Sequence, residues 1–422
     1  MATIPSISMI PSGYKANKIY SVLPTDGTAD LNFSRSGTAT RTNSQGLIET
    51  VANGVPRLDY TSGSCPSFLL EPSVTNIITY SQDFSNWIIG TSILNANNLI
   101  SPDGTVNAST ITKTDNFGGI AKFNSSAVSG EIYTYSVFVK IKTSNYVGLR
   151  AAGATSDVRK NFNLLTGVVT NASSGNQSGF ISSNVENLSN GWVRVSISFT
   201  SDDTTLDTNI YAGIIGTSAN NGELGIFGAQ LEKTPFATSL IPTLLGNAET
   251  RGSEFVQKGG LGSYIKSSEG VLFLELEPQK RLTNKYISLT DGTGNAASDN
   301  TVVVQFRPDG SVRLYADGTS NIVVITPPFP EKENLKIAVR FKENDWKLYI
   351  NGIGYTSSFT PSAVTNLNDL DLGLWYSLST TTLAGEVKGI KIYKSGLINA
   401  ELETLSSYTS FSEMATSLNY TI

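Results

Sequence analysis

Glu275 and Glu277 stand two residues apart in the run GVLFLELEP of this 422-residue sequence. An extended strand turns such a pair to one face, and glycoside hydrolysis needs two facing carboxyls. The run closes at Pro278 and continues with Gln279 and Lys280, so no third acid extends the series. The competing expectation is two solvent-facing acids at the edge of an opening strand.

Hard cations take several oxygen ligands from loops. The loop DGTGNAASDN offers Asp291, Asn295, Asp299 and Asn300, and SDDTTLD offers Asp202, Asp203 and Asp207. Calcium is the one cofactor these sets suggest, with Asp291 and Asp299 the leading pair. Neither loop has the EF-hand spacing, and turn chemistry alone accounts for every one of these residues. Lys258-Gly-Gly-Leu-Gly262 is followed by neither a helix nor a Lys-Ser/Thr pair, so it is not a phosphate loop.

Sugar recognition calls for aromatic faces that stack on pyranose C–H surfaces, flanked by amides and acids. Trp375 and Tyr376, leading into SLSTTTLAG, form the foremost candidate platform. Trp192 is the third. It alternates with Arg194 and Ser196, while Val193, Val195 and Ile197 form the apolar set, which places it at the surface or at a strand end. Trp346 keeps step with Leu348 and Ile350 and belongs to a core.

Composition narrows the chemistry further. The chain has no His and one Cys, which removes Ser–His and Cys–His catalysis, imidazole–zinc sites and any intrachain disulfide. Cys65, before Pro66 in a Gly/Ser-rich turn, is expected to be a small buried filler. A formal charge of −5 with 15% charged residues provides no broad basic field for nucleic acid or anionic membrane. The first twenty residues lack the charge-then-apolar order of a signal peptide, and no run approaches a membrane span. Synthesis in a cytoplasm, without membrane insertion, is the expectation.

The elements that must hold these residues are strands. Period-two runs recur at Tyr133–Lys142, Trp192–Phe199 and Leu335–Lys342, with turn signals between them. The fold class is all-β: two antiparallel β-sandwich (jelly-roll) domains in tandem behind an extended N-terminal anchoring segment. The boundaries read as an arm at 1–28, a small β-rich connector at 29–75, one jelly roll at 76–243, a linker at 244–267, a second sandwich at 268–408 and a tail at 409–422. Phe84, Trp87, Ile111, Phe123, Val137, Phe162, Val168, Val195 and Ile226 are among the first sandwich's expected core. Asp309-Gly310, Asp317-Gly318 and Asn351-Gly352 are hairpin signals, and Asn399 is the expected N-cap of one helix.

Three stretches carry a resemblance. NFSRSGTATRTNSQGLIE, VPRLDY and CPSFLLEPSVTNIITYSQDFSNW, within 32–87, resemble the N-terminal segment of tailed-bacteriophage virion appendage proteins of the head-fibre and tail-fibre type. FGAQLEKTPFATSLIPT (227–243) resembles the closing strand of the carbohydrate-binding-module-like jelly roll that follows that segment in such proteins. FKENDWKLYING (341–352) with GEVKGIKIYKSGLINAELETL (385–405) resembles the closing half of a concanavalin A-like, laminin-G-type lectin sandwich.

The resemblance implies a non-enzymatic, adhesive virion protein, assembled in the host cytoplasm and exposed on the particle. It would dock to other capsid or tail proteins through its N-terminal segment and display sandwiches that bind cell-surface or mucosal glycans for host attachment. A homo-oligomer, preferably a homotrimer, fits such fibres, because several weak sites on one stalk gain in effective concentration. A head (capsid-decorating) fibre is preferred. The alternatives are a tail fibre or receptor-binding protein, and a polysaccharide depolymerase on a lectin-like fold. Some glucanases of that fold are similar in placing acids on one strand, but as acid–x–acid–x–x–acid, and here the third acid is missing.

Overall fold

The computed structural model describes residues 3–61, 63–188, 190–217, 222–279, 283–293, 300–316, 322–330, 333–356, 361, 363–373, 382–410 and 412–414. They are almost wholly antiparallel strands, with one α-helix at Asn399–Ser406 and one short 3-10 turn at Phe84–Asn86. The fold is all-β.

Two compact units divide the chain. The first gathers residues 1–37, 51–72 and 252–422, and the second 38–50 and 73–251. The partition differs from the boundaries drawn from sequence. Residues 1–28 carry strands of the first unit: Ile7–Met9 pairs with Gly385–Tyr393, and Lys18–Ile19 with Leu31–Ser34. The 29–75 stretch is shared between the units, and the 244–267 stretch holds the strands Glu249–Arg251 and Phe255–Lys258. Ile7, Met9, Ile19, Leu31 and Phe33 are all buried in the first unit's core. Such short apolar runs cannot form a core alone and gain free energy only on a larger apolar face.

In the first unit, sheet A runs in the order Ile353–Tyr355, Lys347–Ile350, Leu335–Lys342, Glu269–Pro278, Gly385–Tyr393, Ser67–Leu70, Leu58–Asp59. Sheet B runs Tyr14–Lys15, Lys18–Ile19, Leu31–Ser34, Phe255–Lys258, Asp369–Leu372, Lys285–Thr290, Val302–Phe306, Val312–Ala316, Ile322–Ile325. Alternation dictates the packing. Leu272, Leu274 and Leu276 of sheet A face Ile287, Leu289, Val302, Val304, Leu370 and Leu372 of sheet B in one core, with Trp346 among them. On the other face of sheet A, Val271, Phe273, Ala338 and Tyr393 receive the helix through Leu402. Asn399 is the helix's first residue and not its cap: Ile398 precedes it, and its N–H donates to the Glu401 carboxylate. Asn351 and Gly352 both take positive φ between paired strands, as the hairpin signal requires. Asp317-Gly318 lies outside the described residues.

In the second unit, sheet C runs Ile88–Ile89, Ile120–Ser126, Thr205–Tyr211, Tyr146–Ala152, Asp157–Asn163, Val169–Asn171. Sheet D runs Ser92–Ile100, Val106–Lys113, Glu223–Glu232, Ile132–Ile141, Trp192–Thr200, Phe180–Asn187. Val147, Leu149 and Phe162 of sheet C meet Val137, Val195, Ile197 and Ile226 of sheet D. Two expected core residues are corrected: Phe123 and Val168 are exposed, because each points away from the space between the sheets or lies in a turn. Cys65 is also exposed, at the turn between Leu58–Asp59 and Ser67–Leu70, so the buried-filler expectation fails. The folded protein should therefore react with a thiol reagent such as DTNB at one thiol per chain, without denaturant. Reaction only after unfolding would contradict this placement.

Candidate functional site

Glu275 and Glu277 occupy a central strand of sheet A, not an edge, with paired strands on both sides. They lie on the face that also carries Val271 and Phe273. Glu275 accepts a hydrogen bond from the Asn334 amide at 3.3 Å, and Glu277 pairs with Lys388 at 3.3 Å. A third acid, Glu386, sits directly opposite Glu277 in register, and its carboxylate accepts from the Ser67 hydroxyl at 2.9 Å.

Among the described residues, no group of three or more His, Cys, Asp or Glu is placed to hold a metal. Asp291 closes a local turn, accepting from the backbone and hydroxyl of Thr293 at 2.9 and 2.7 Å. Asp299 and Asn295 lie outside the described residues, and Asn300 accepts from Thr365. In the second unit Asp202 clamps a loop, accepting from the N–H and hydroxyl of Thr155 and of Ser156. Burial opposes its ionisation, yet hydrogen bonds from Ser156 and Thr155 prevail and hold the carboxyl well below the ordinary aspartate value of 3.8. A depressed folded value stabilises fully above the unfolded one, and the contribution disappears as pH falls through the folded value. Asp202→Asn should therefore flatten the acid limb of the second unit's stability, read by thermal unfolding below about pH 4. An unchanged acid limb would contradict the clamp.

Trp192 is 1% exposed, so its ring offers no face to a sugar. Its strand parity is as the sequence indicated, with Val193, Val195 and Ile197 in the inter-sheet core. The other face of sheet D is covered too: Trp192 packs with Ala108, Phe138, Phe227 and Leu240, and its indole N–H donates to the Ile100 carbonyl. Trp375 and Tyr376 lie outside the described residues, three and four positions beyond the strand Asp369–Leu372.

Six polar residues of the first two resemblance stretches, Arg35, Arg57, Glu71, Gln230, Glu232 and Thr238, are buried. Arg35, Arg57, Glu71 and Glu254 form a fully buried network in the first unit. Glu254 accepts from Arg35 at 2.8 Å, from both Nε and Nη2 of Arg57, and from the Glu71 N–H at 2.9 Å, and Arg57 reaches Glu71 at 2.8 Å. Burial works against the Arg57 charge, but Glu254 and Glu71 outweigh it and hold the guanidinium firmly protonated. In FGAQLEKTPFATS, Gln230, Glu232 and Thr238 bond one another and fix the segment after the strand Glu223–Glu232.

Sequence reasoning missed the outward face of sheet B. Residues directly opposite one another share a face, and register sets out a row Gln257, Asp371, Ser288, Val303, Tyr315, with Tyr286, Gln305 and Arg313 alongside. Ser288, Gln305, Tyr315 and Asp371 form a buried floor, while Tyr286, Arg313, Gln257 and Asp369 are more open. Hydrogen bonds run one way through it: Arg313 to the Tyr315 hydroxyl at 2.6 Å, Tyr315 to Gln305 Oε1 at 3.1 Å, and Gln305 Nε2 to the Tyr286 hydroxyl at 3.1 Å. Two groups are left over among the described residues. Arg313 Nε is buried without an acceptor. Asp371 is 8% exposed, and burial, helped by the neighbouring Asp369 charge, raises its carboxyl to about 6. Register across five strands, which no single stretch of the sequence shows, was needed to bring these residues together.

No family model matches the chain, and no curated protein does. Among solved structures, the chain is similar to the CBM40 of the Ruminococcus gnavus IT-sialidase bound to α2,3-sialyllactose, at TM-score 0.29 and 15% identity, over 33% of this chain and 83% of that one. The NanB sialidase of Streptococcus pneumoniae gives TM-score 0.29 and 13% identity over 35% and 27% of the two chains. The native heptameric SAP-like pentraxin of Limulus polyphemus gives 0.28 and 13% over 34% and 72%.

Proposed function

We propose that this protein is a non-enzymatic adhesive component of a bacteriophage particle that binds glycans on the outward face of sheet B. The observation that carries the reading is the recessed floor of Asp371, Ser288, Gln305 and Tyr315 with the acceptor-less Arg313 Nε. Buried polar groups without partners cost free energy, and a floor of donors, acceptors and aromatic edges matches the hydroxyls and C–H faces of a sugar. The particle assignment is supported by the resemblance of residues 32–87, with a head fibre preferred to a tail fibre. Ile4, Ile10, Tyr20 and Val22 leave apolar side chains exposed on the N-terminal segment, a surface suited to docking on other capsid or tail proteins. A homotrimer would multiply weak glycan contacts. Immunogold labelling of virions with antibodies against residues 268–408 tests the placement. Label on capsids supports a head fibre, label at the tail end a receptor-binding fibre, and absence from purified particles overturns both.

A polysaccharide depolymerase is the second reading, favoured by Glu275, Glu277 and Glu386 on one face of sheet A. Reducing ends released by the wild-type protein and not by Glu277→Gln would establish it. No release from host polysaccharide would leave adhesion as the function.

A further inference from the structure

The floor of sheet B carries a pair of acids that nothing nearby balances. Asp369 and Asp371 stand two apart on one strand, so both belong to the outward face, while Leu370 and Leu372 fill the core. Asp371 is 8% exposed and accepts no hydrogen bond among the described residues. Asp369 is the one charge among them that acts on it, and it repels. A Cβ on Gly259 would stand 3.0 Å from both Asp369 oxygens, and one on Gly292 2.9 and 3.0 Å. Bare backbone at these two positions leaves room around that carboxylate.

The described cations of sheet B lie elsewhere. Arg313 is three strands from Asp371, roughly 14 Å at the usual strand spacing, and is laid over the Tyr315 ring at 5.6 Å. Arg307 is paired with Asp309 at 2.7 Å. Lys18 and Lys15 are three and four strands away on the other side. Lys258 and Lys285 stand opposite Leu370 and Phe306, on the inward parity. A carboxylate kept from water with neither donor nor cation is costly, and an ammonium group supplies both, with three N–H donors on a full positive charge. Calcium would need roughly six to eight oxygens, and no three acids gather among the described residues. Gln257 and Ser288 flank Asp371 directly in register, and Tyr286 and Tyr315 add aromatic surface for a sugar ring beyond them. Arg313 Nε, buried without an acceptor, stands at the far end, a span longer than one pyranose.

Resting on the glycan reading of sheet B, we infer that its floor selects an oligosaccharide of unacetylated amino sugars, with an ammonium group at Asp371 and a hydroxyl at Arg313. The glucosamine trimer and its fully N-acetylated form are titrated into the full chain at neutral pH, at low and high salt, with calcium chloride alone as a third titrant. The free amine should bind roughly tenfold or more tightly than the N-acetylated form, with the preference reduced by salt. Asp371→Asn, which removes a buried charge and so stays folded, should abolish the preference. Asp309→Asn, an exposed acid of the same sheet, should leave it intact, which separates the site from attraction to the chain's overall charge of −5. Equal affinity for the two trimers would overturn the amino-sugar preference and leave the glycan reading standing, and binding of no sugar at all would overturn both. An unchanged preference in Asp371→Asn would also overturn the proposal. Calcium binding that Asp371→Asn removes, without any preference for the amine, would make the acid pair a metal site instead.

Discussion

Glu254→Gln is expected to destabilise the first unit by about 3–5 kcal/mol. Glu254 is fully buried and receives both Arg35 and Arg57. Its replacement leaves two buried guanidinium groups facing the single carboxylate of Glu71. Unpaired charge in a low-dielectric interior is far more costly than the intact network is stabilising. Calorimetry should show the first unit's transition moving to lower temperature while the second unit's is unchanged. Adding Arg35→Met to Glu254→Gln restores one cation to one anion and should recover part of the loss, because residues within one network couple. A loss below about 1 kcal/mol would mean that water reaches the network.

The second large effect has the opposite sign. Asp371 ionises at about 6 when folded against an ordinary value of 3.8. A raised folded value contributes stability that is fully present below the unfolded value and is lost as pH rises through the folded one. The wild-type protein should therefore lose stability between pH 3.8 and about 6 from this group. Asp371→Asn removes the penalty of a buried charge and should be more stable at neutral pH by about 2–3 kcal/mol. Denaturation of both proteins at acid and neutral pH checks this, with the difference vanishing on the acid side. A residue whose charge weakens the fold is well explained by a ligand that uses it.

How far the sequence could be read depended on range. Alternation in Leu335–Lys342 and Trp192–Thr200 is a local property, and it identified both the strands and their inward faces. The burial of Trp192 was not legible, because its cover comes from Leu240, Leu99 and Ile48, distant in the chain. The role of Arg35, Arg57 and Glu71 was equally hidden. Each stood in a stretch that resembled an attachment segment, and their common partner lies 219, 197 and 183 residues away. The arm at 1–28 looked too short to fold, and alone it is. Its apolar residues become strands because the sandwich built from 252–422 supplies the face they lack. The acid pair was found from spacing alone, but its central position needed the pairing of Glu269–Pro278 on both sides.

The sheet B floor depends on the same long-range register, and it carries the functional account. Its most direct test is a glycan array probed with the full chain, followed by titration of the tightest neutral ligand into the wild type and Asp371→Asn. The account predicts a bound glycan whose affinity falls roughly tenfold or more in the variant, although the variant is the more stable protein. A ligand held equally well by both proteins, or no ligand at all, would contradict it.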